Sequence, residues 1–376
     1  MHTMHSTLLV GRYDWAPGDL PKDEFDERLA ALWRQVPPQT KGIAVFGDRR
    51  SNAELVYLSN MVPKMRDALA LFPRDGEPSI YVAGAPSMMA TFARQSWIAK
   101  PAPLNEPGQI LAEWKAKLGG PIVFLGGENL RLSLRKGVDE AAGDDGASKE
   151  ASLALRTLMR PKRARELAAI RGACAILAAM ARTLAEGFEA GKGPTAAVID
   201  AEHEAVRRGA QEARSLLSLD GGRTLRPFMT PVEKPVDRLQ VYFAVRFAGY
   251  WAEGFIPLSK GRNPAADKGN EALKMLIGLA VPGAKCGELA RRLESSRAPF
   301  GAHAITAASA GAGIGLSLEE APSLGRDSAE VLQAGDVVSL RVGMSDGERQ
   351  HAIVSAMVSI AANRPELIWS MDGNLR

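Results

Sequence analysis

The N-terminal part of the chain alternates between helical and extended hydrophobic patterns. In residues 23–36, Phe25, Leu29, Leu32 and Trp33 recur at a helical spacing. Short apolar runs typical of buried strands follow, and further helical segments separate them. The predicted strands cover residues 42–46, 68–72, 79–82 and 121–125, and the predicted helices cover residues 86–95, 109–118 and 132–142. This alternation predicts a small α/β domain.

The rest of the chain begins with two long amphipathic segments and continues mainly with strands. The segments are residues 164–187 and 194–208. Further helices are predicted at 267–280 and 286–296, and strands at 214–219, 239–247, 249–256, 336–342 and 352–360. Helices followed by a mostly antiparallel sheet indicate an α+β domain. A polar turn at residues 143–146 precedes the junction, and we predict domains at 1–155 and 156–376.

Composition and charge restrict the class of protein. The chain has 376 residues, of which 46% are apolar and 24% charged, an ordinary globular composition. We see no apolar stretch near the length of a membrane span and no secretion signal at the start. The densest basic run, residues 160–165, has no aromatic neighbour, which favours a solvated helix start over a nucleic-acid site. Cys174 and Cys286 have no metal-type spacing, so we expect reduced thiols in a cytoplasmic protein.

Residues 311–322 carry the clearest motif, Gly-Ala-Gly-Ile-Gly-Leu-Ser-Leu-Glu-Glu-Ala-Pro. This segment resembles Gly-His-Gly-Ile-Gly-Leu…His-Glu-Ala-Pro of the creatinase, prolidase and aminopeptidase P superfamily. Residues 51–59 are similar to that family's Asn…Tyr-Leu-Ser/Thr-Gly turn, with Asn60 in place of the glycine. Residues 162–171 resemble its Lys-Ser-x-x-Glu…Ile-Arg helix start. The resemblance covers nearly the whole chain from about Gly42, and implies a small N-terminal α/β domain followed by a C-terminal pita-bread domain.

The resemblance also implies where five metal ligands would lie. The family pattern needs two aspartates, one histidine and two glutamates around a pair of divalent cations. Counting from the retained Gly-Tyr turn assigns the aspartate positions to Tyr242 and Glu253. Ala312 replaces the histidine, Arg341 replaces the first glutamate, and the final glutamate position falls near Val354. Because one carboxylate remains and a guanidinium stays protonated, we predict no metal site and no cofactor.

The metal-free mechanism of creatinase does not transfer directly either. Phe228 stands where creatinase has its histidine on the loop before the hairpin, and Glu319 replaces a substrate-contacting histidine of the family. Adjacent residues on a strand point to opposite faces, so at most one of Glu319 and Glu320 enters the cleft. Glu319 is the functional candidate of the two. The same alternation places Arg246 on the face of Tyr242.

The predicted site combines these positions. The catalytic candidates are Glu253, Glu319 and Arg341, and the substrate-binding candidates are Tyr242, Arg246, Phe228 and His351. Two interpretations of Arg341 stay open. It either pairs with Glu253 or Glu319 and fills the volume that metal would occupy, since an unpaired buried charge is costly, or it binds an anionic group of a ligand. For His351 and His303 the sequence favours a structural role over a functional one.

Three functions follow from the resemblance. The first is a metal-independent, creatinase-like hydrolase for a small polar amide, amidine or amino-acid-like substrate. The second is a non-catalytic pita-bread protein, a pseudoenzyme that binds a small ligand or pairs with an active homologue. The third is a metal-dependent Xaa-Pro aminopeptidase or prolidase. We expect a small polar or anionic molecule as partner, neither nucleic acid nor membrane, and a homodimer or a heterodimer with a homologue.

Overall fold

The computed structural model describes residues 9–11, 13–143, 145–227 and 231–374. The chain divides into two compact units, Tyr13–Arg160 and Pro161–Arg376, and the second unit also includes the N-terminal strand β1, Leu9–Val10. The boundary predicted at 155/156 falls inside the helix Asp145–Met159. The polar turn at residues 143–146 therefore precedes one more helix of the first unit.

The smaller unit is built on a five-stranded sheet. Its strands are β2 (Gly42–Asp48), β3 (Asp67–Pro73), β4 (Ser79–Val82), β5 (Ala102–Pro103) and β6 (Ile122–Leu125). They lie in the order β5-β4-β3-β2-β6. The β2–β3 and β3–β4 pairs are antiparallel, whereas β2–β6 and β4–β5 are parallel. This mixed sheet confirms the α/β character that the alternating pattern predicts.

Helices cover this sheet. They are α1 (Lys22–Trp33), α2 (Ala53–Ser59), α3 (Met89–Phe92), α4 (Pro107–Leu118), α5 (Leu132–Ala142) and α6 (Asp145–Met159), with 3-10 turns at Pro86–Met88 and Gly127–Asn129. Ile43, Ala44 and Val45 on β2 are all fully buried, because α2 and α4 both pack against this strand. A strand covered in this way carries a continuous apolar run, which explains why the run in β2 is easy to recognise.

The turn-like motif at residues 51–59 is the helix α2, which the hydrophobic pattern did not predict. The helix ends at Asn60, whose φ of 61° is left-handed. Glycine and asparagine adopt this conformation more readily than other residues. Asn60 therefore replaces the family's glycine without changing the geometry of the turn.

The larger unit contains two sheets. The first consists of β1 with β7 (Glu212–Ser218), β8 (Arg238–Phe247) and β9 (Tyr250–Ser259), in the order β1-β7-β8-β9. The second consists of β10 (Gly301–Ala302), β11 (Ser309–Gly313), β12 (Glu320–Gly325), β13 (Val337–Ser345), β14 (His351–Ile360) and β15 (Pro365–Ser370). Its order is β12-β11-β13-β14-β15, with β10 paired to β13. All pairs in both sheets are antiparallel.

Five helices complete this unit. They are α7 (Ala164–Glu189), α8 (Pro194–Arg207), α9 (Pro264–Leu279), α10 (Cys286–Ser296) and α11 (Met371–Asn374), with a 3-10 turn at Ala304–Thr306. Helix α7 packs against β8 and β9, and α9 packs against β13 and β14. Helices on one face of mostly antiparallel sheets confirm the predicted α+β architecture.

Helix α7 corrects one expectation from the sequence. With 26 residues, it is long and apolar enough to cross a membrane by length and composition. Ile170, Leu177 and Leu184 are fully buried inside the unit. A core helix of a folded domain meets the same criteria as a membrane span, and the packing against β8 and β9 accounts for its apolar character.

Strands β11 and β12 were not predicted because they lack the usual strand residues. The sequence of β11 is Ser-Ala-Gly-Ala-Gly, whereas strands are normally rich in β-branched and aromatic residues. A Cβ atom added to Gly313 would lie 2.2 Å from the carbonyl oxygen of Ala321. The glycines are thus required by the close approach of neighbouring backbone.

The two sheets of the larger unit meet along β9 and β14. The amide of Phe255 donates to Ser355 Oγ at 2.8 Å, and the amide of Ile353 donates to Gln240 Oε1 at 2.9 Å. These side-chain bridges connect the β8–β9 hairpin to β14. They bring the residues that the sequence assigns to the metal positions to one place in the unit.

Candidate functional site

The β8–β9 hairpin positions the first two site residues. Its turn, Ala248-Gly249, has φ values of 48° and 86°, and positive φ at both residues suits a two-residue hairpin. The turn fixes a register in which Ala244 pairs with Glu253 and Tyr242 with Phe255. Since directly paired residues share one face of a sheet, the side chains of Tyr242 and Glu253 lie on the same face.

Tyr242 and Glu253 are joined by a buried hydrogen bond. The phenol of Tyr242 donates to Glu253 Oε2 at 2.8 Å, and each residue is 2% exposed. The ring of Tyr242 packs on Phe255, with centroids 4.8 Å apart. Burial and the negative charge of Glu253 raise the pKa of Tyr242 well above its ordinary value, although Arg341 opposes this shift. Tyr242 is therefore a neutral donor.

Strand β13 supplies two more donors to Glu253. Arg341 Nε donates to Glu253 Oε1 at 2.6 Å, and Ser339 Oγ donates to the same oxygen at 2.6 Å. Ser339 and Arg341 are two residues apart and hence share one face of the strand. With Tyr242, three donors surround the carboxylate. An ionised carboxylate can only accept hydrogen bonds, so this arrangement compensates its buried charge.

Arg341 also contacts a second carboxylate. Its Nη1 donates to Glu319 Oε1 at 2.9 Å, and the side chain of Glu319 is 44% exposed while that of Arg341 is 10% exposed. Burial disfavours the charge of Arg341, but the carboxylate of Glu253 outweighs it, and the pKa of Arg341 rises above its usual value. The guanidinium is thus protonated and lies between one buried and one exposed carboxylate.

The neighbouring carboxylate, Glu320, makes two contacts with other residues. Its Oε2 accepts from Lys162 Nζ at 2.7 Å and its Oε1 accepts from the amide of Ser317 at 2.9 Å. Only Glu319 of this adjacent pair reaches Arg341. The different partners of the two side chains agree with the expectation that at most one of them enters the site.

The donor set does not fit a pair of divalent cations. Ala312 lies directly opposite Ser339 across the β11–β13 pair, and its methyl group offers no ligand. The guanidinium of Arg341 lies against Glu253, the one carboxylate kept at these positions. Across residues 9–11, 13–143, 145–227 and 231–374, no group of three or more histidine, cysteine, aspartate or glutamate side chains could hold a metal ion. Hard cations need several oxygen ligands.

The final ligand position was assigned to the wrong residue. Val354 packs on the opposite face of β14, in the hydrophobic core under α9. Its neighbour Ser355 is the direct cross-strand partner of Arg341. An error of one residue moves a side chain to the other face of a strand, so Ser355, and not Val354, belongs to the site.

Two other predicted site residues lie away from Arg341. Arg246 Nε donates to the carbonyl of Gly249 at 3.0 Å and the guanidinium lies 5.6 Å from the Trp251 ring, so it supports its own hairpin turn. His351 Nδ1 is 2.9 Å from Ser345 Oγ. It precedes Ser355 by four residues, about 13 Å along a strand. Phe228 lies outside the described residues.

The prediction from the sequence did not include two residues of the site, Ser339 and Arg214. Ser339 could have been found by alternation, since it is two residues before Arg341. Arg214 on β7 pairs with Ala244, which places it on the face of Glu253, and its Nη2 is 2.6 Å from Glu212 Oε1. No local pattern signals the position of Arg214, because it depends on the register between β7 and β8.

Comparison with protein families identifies the larger unit. The profile of metallopeptidase family M24 matches residues 168–361, which is just over half of the chain. No curated protein matches the sequence. The family match and the shared fold confirm the resemblance that the glycine-rich motif suggests.

Solved structures share the fold over nearly the whole chain. The prolidase from Pyrococcus horikoshii superposes with a TM-score of 0.73 at 15% identity, covering 92% of this chain and 97% of that one. Dipeptidase PepE from Mycobacterium ulcerans gives 0.66 at 20% identity, covering 92% and 95%. The N-terminal domain of the FACT complex subunit SPT16 from chickpea gives 0.63 at 13% identity, covering 92% and 96%. At these identities the likeness shows the fold alone.

Proposed function

The chain belongs to metallopeptidase family M24, and from this premise we propose that it works without the metal pair, as a protein that binds a small anionic molecule at Arg341. The observation that carries this proposal is the position of the Arg341 guanidinium, 2.6 Å from Glu253 and 2.9 Å from Glu319. A permanent cation at this point repels metal ions and attracts anions.

The contacts of the buried groups favour binding over hydrolysis. Glu253 accepts from Tyr242, Ser339 and Arg341 and is 2% exposed. A general base must reach the proton that it removes, and this carboxylate is enclosed by its own donors. The phenol of Tyr242 has a raised pKa and is equally buried. Neither group is placed to move a proton for a substrate.

Arg341 keeps one nitrogen for a ligand. Its Nε and Nη1 contact Glu253 and Glu319. In the part of the chain that the structure describes, Nη2 has no hydrogen-bond partner, and it is not among the buried unsatisfied atoms. A carboxylate or phosphate oxygen is the strongest acceptor for such a group.

Metal analysis tests the proposal that the protein works without the metal pair. Protein purified without chelator should carry no stoichiometric manganese, cobalt, zinc or iron by plasma mass spectrometry. It should also leave Xaa-Pro dipeptides intact with or without added manganese. Two metal equivalents per chain together with chelator-sensitive hydrolysis would contradict the proposal and restore the metal-dependent peptidase.

Calorimetry tests the proposal that a small anionic molecule binds at Arg341. Titration with small monocarboxylates and inorganic phosphate should give binding that is lost in the double variant Arg341→Gln/Glu253→Gln, which removes the cation and its buried partner together. A matched control is Arg262→Gln, since the Arg262 side chain is 82% exposed. Equal binding by the double variant would remove Arg341 from the role proposed.

A creatinase-like, metal-independent hydrolase is the second candidate. The observation that favours it is Glu319, a carboxylate that is 44% exposed and directly beside Arg341. Arg341 would orient an anionic group of a small amide or amidine, and Glu319 would move the proton. Turnover that persists after exhaustive chelation and stops in Glu319→Gln would favour this candidate; binding of the same compound without turnover favours the first.

A role as a partner subunit rests on one structural neighbour. The chickpea protein of this fold is named as a subunit of a complex, so the fold occurs in an assembly component. We propose on the same basis that the chain forms a homodimer or pairs with a homologue, and we propose from its free cysteines, Cys174 and Cys286, that it is cytoplasmic. Light scattering of the purified chain and co-purification with an M24 homologue would distinguish the two.

A further inference from the structure

The face of the first sheet that carries Glu253 also carries a second guanidinium. Arg214 pairs with Ala244 across β7–β8, and Ala244 pairs with Glu253 across β8–β9. The three residues therefore form one row on one face. Adjacent strands are about 4.8 Å apart, so the Cα atoms of Arg214 and Glu253 are separated by about 10 Å. Arg341, on β13, contacts this row because its Nε donates a hydrogen bond to Glu253.

Arg214 is fixed in place before any ligand arrives. Its Nε donates to Glu212 Oε1 at 2.7 Å, and its Nη2 is 2.6 Å from the same oxygen. The guanidinium lies over the ring of Trp251, 4.6 Å from the centroid. A guanidinium held by a carboxylate and an aromatic face loses little side-chain entropy when it binds an anion.

The guanidinium groups of Arg214 and Arg341 have the same pattern of contacts. In each, a carboxylate engages Nε and at least one carboxylate contact holds a second nitrogen. For Arg214 the third nitrogen, Nη1, has no partner among residues 9–11, 13–143, 145–227 and 231–374 and is not a buried unsatisfied atom. The side chain of Arg214 is 27% exposed. Each arginine thus keeps one amino group for an acceptor.

Tyr242 lies within reach of both positive charges. It pairs with Leu216 on β7, two residues after Arg214, and is two residues before Ala244 on β8. The charges of Arg341 and Arg214 both act to lower the pKa of Tyr242, against burial and Glu253, which raise it. The two guanidinium groups therefore both act on this one buried phenol.

We propose that Arg214 and Arg341 together form a two-point site for a small ligand that carries two anionic groups, such as a dicarboxylate. Guanidinium groups recognise carboxylate and phosphate oxygens through short, charge-assisted hydrogen bonds. Two such groups held at fixed positions, one on a row whose Arg214 and Glu253 Cα atoms lie about 10 Å apart and one bonded to Glu253 at the end of that row, select a ligand by the spacing of its charges. This inference rests on the proposed anion binding at Arg341 and adds the second contact and the class of ligand.

The test is calorimetry with linear α,ω-dicarboxylates from succinate to suberate and with monocarboxylates of matched length. In the unmodified protein, one or two dicarboxylates of suitable length should bind at least tenfold more tightly than their monocarboxylate analogues. In Arg214→Gln/Glu212→Gln this advantage should disappear while monocarboxylate binding persists. In Arg341→Gln/Glu253→Gln both kinds of binding should be lost.

Two controls keep the result interpretable. Arg262→Gln should bind every probe like the unmodified protein, and thermal melts should show that each double variant is folded. Dicarboxylates that bind no better than monocarboxylates, or that keep their advantage in the Arg214 variant, would overturn the two-point site. In that case monocarboxylate binding that depends on Arg341 would leave the proposed function intact. Failure of every probe to bind would overturn both.

Discussion

Single residues show how packing constrains the glycines of the family motif. A Cβ added to Gly311 would lie 2.0 Å from the carbonyl oxygen of Ser339, and one added to Gly315 would lie 2.8 Å from Glu320 Oε2. At Gly343, next to the Arg341-Val342 pair, it would lie 2.2 Å from Thr306 Oγ1. Gly311 is required wherever the backbone follows this path, because the obstacle is backbone, whereas the atoms near Gly315 are the ends of flexible side chains. Position 312, where the family has a histidine, lies under no such constraint toward one residue type.

The buried ion pair of Arg341 and Glu253 gives a prediction about single residues. Arg341→Gln leaves Glu253 buried without its cation, and breaking a buried ion pair in this way costs about 3–5 kcal/mol of unfolding free energy. Arg341→Gln/Glu253→Gln removes both charges and should recover most of that loss. Urea unfolding of the three proteins measures the difference. A double variant no more stable than the single one would show that the ion pair does not determine the cost.

At the scale of elements, the register of β13 and β14 decides which residues face the site. Arg341 pairs with Ser355, and Ser345 pairs with His351 at the far end of the same hairpin. The hairpin thus carries Arg341 and His351 on one face but keeps them about 13 Å apart along the strand. For this reason the structure brings Glu319 to Arg341 and leaves His351 with Ser345.

This register can be tested by rebuilding the ligand set. Tyr242→Asp, Ala312→His, Arg341→Glu and Ser355→Glu, combined with the native Glu253, place four carboxylates and one imidazole at the five ligand positions. This variant should bind manganese or zinc more tightly than the unmodified chain does, measured by calorimetry and metal analysis.

The matched control places the last glutamate at position 354 in place of 355. Val354 faces the hydrophobic core under α9, so its carboxylate cannot join the set and the control should bind metal far more weakly. Equal metal binding by both variants would contradict the register, and so would a control that binds more tightly than the Ser355→Glu variant.

At the scale of the molecule, one buried histidine connects three segments of the larger unit. His303 Nε2 lies 2.8 Å from the carbonyl of Gly222, and its Nδ1 accepts from the amide of Ile305 at 3.1 Å. Its ring meets that of His351 with centroids 6.0 Å apart. Both ring nitrogens are used, which requires the neutral ring with its proton on Nε2. This is the structural role that the sequence left open for His303.

The protonation of His303 predicts how stability depends on pH. Burial lowers its pKa, with a smaller contribution from His351, while the hydrogen bond to Gly222 and the charge of Asp220 oppose the shift. The unfolded chain therefore takes up this proton first as pH falls. The contribution of the neutral ring to stability is complete above about pH 6.5 and is lost as pH falls from there through the lowered folded-state pKa.

Urea unfolding between about pH 7.5 and pH 5 measures this effect. The unfolding free energy should decrease toward acid more steeply in the unmodified protein than in His303→Gln, which cannot titrate. The comparison isolates His303 from the other groups that titrate in this range. Parallel pH profiles for the two proteins would show that His303 does not contribute the predicted share.

The amino-acid sequence by itself determined the elements with strong local patterns and the family. The helices Leu132–Ala142 and Cys286–Ser296 and the strand Ser79–Val82 match their predictions, because hydrophobic periodicity depends on neighbouring residues. The sequence also predicted which residues stand at the family's metal-ligand positions, with the last of them off by one residue. Strands β11, β12 and β15 and the seven-residue helix α2 were missed, since short or glycine-rich segments carry little periodicity. Helix α6 has 15 residues and was missed because its segment was interpreted as the junction between the domains.

Only the tertiary structure decided what the remaining charged residues do. Glu253 meets Ser339 and Arg341 across 86 and 88 residues of chain, and Arg214 joins their face through the pairing of three strands. These contacts depend on strand order and register, which no local pattern records. A shift of one residue exchanges Ser355 for Val354 and turns a site residue into a core residue.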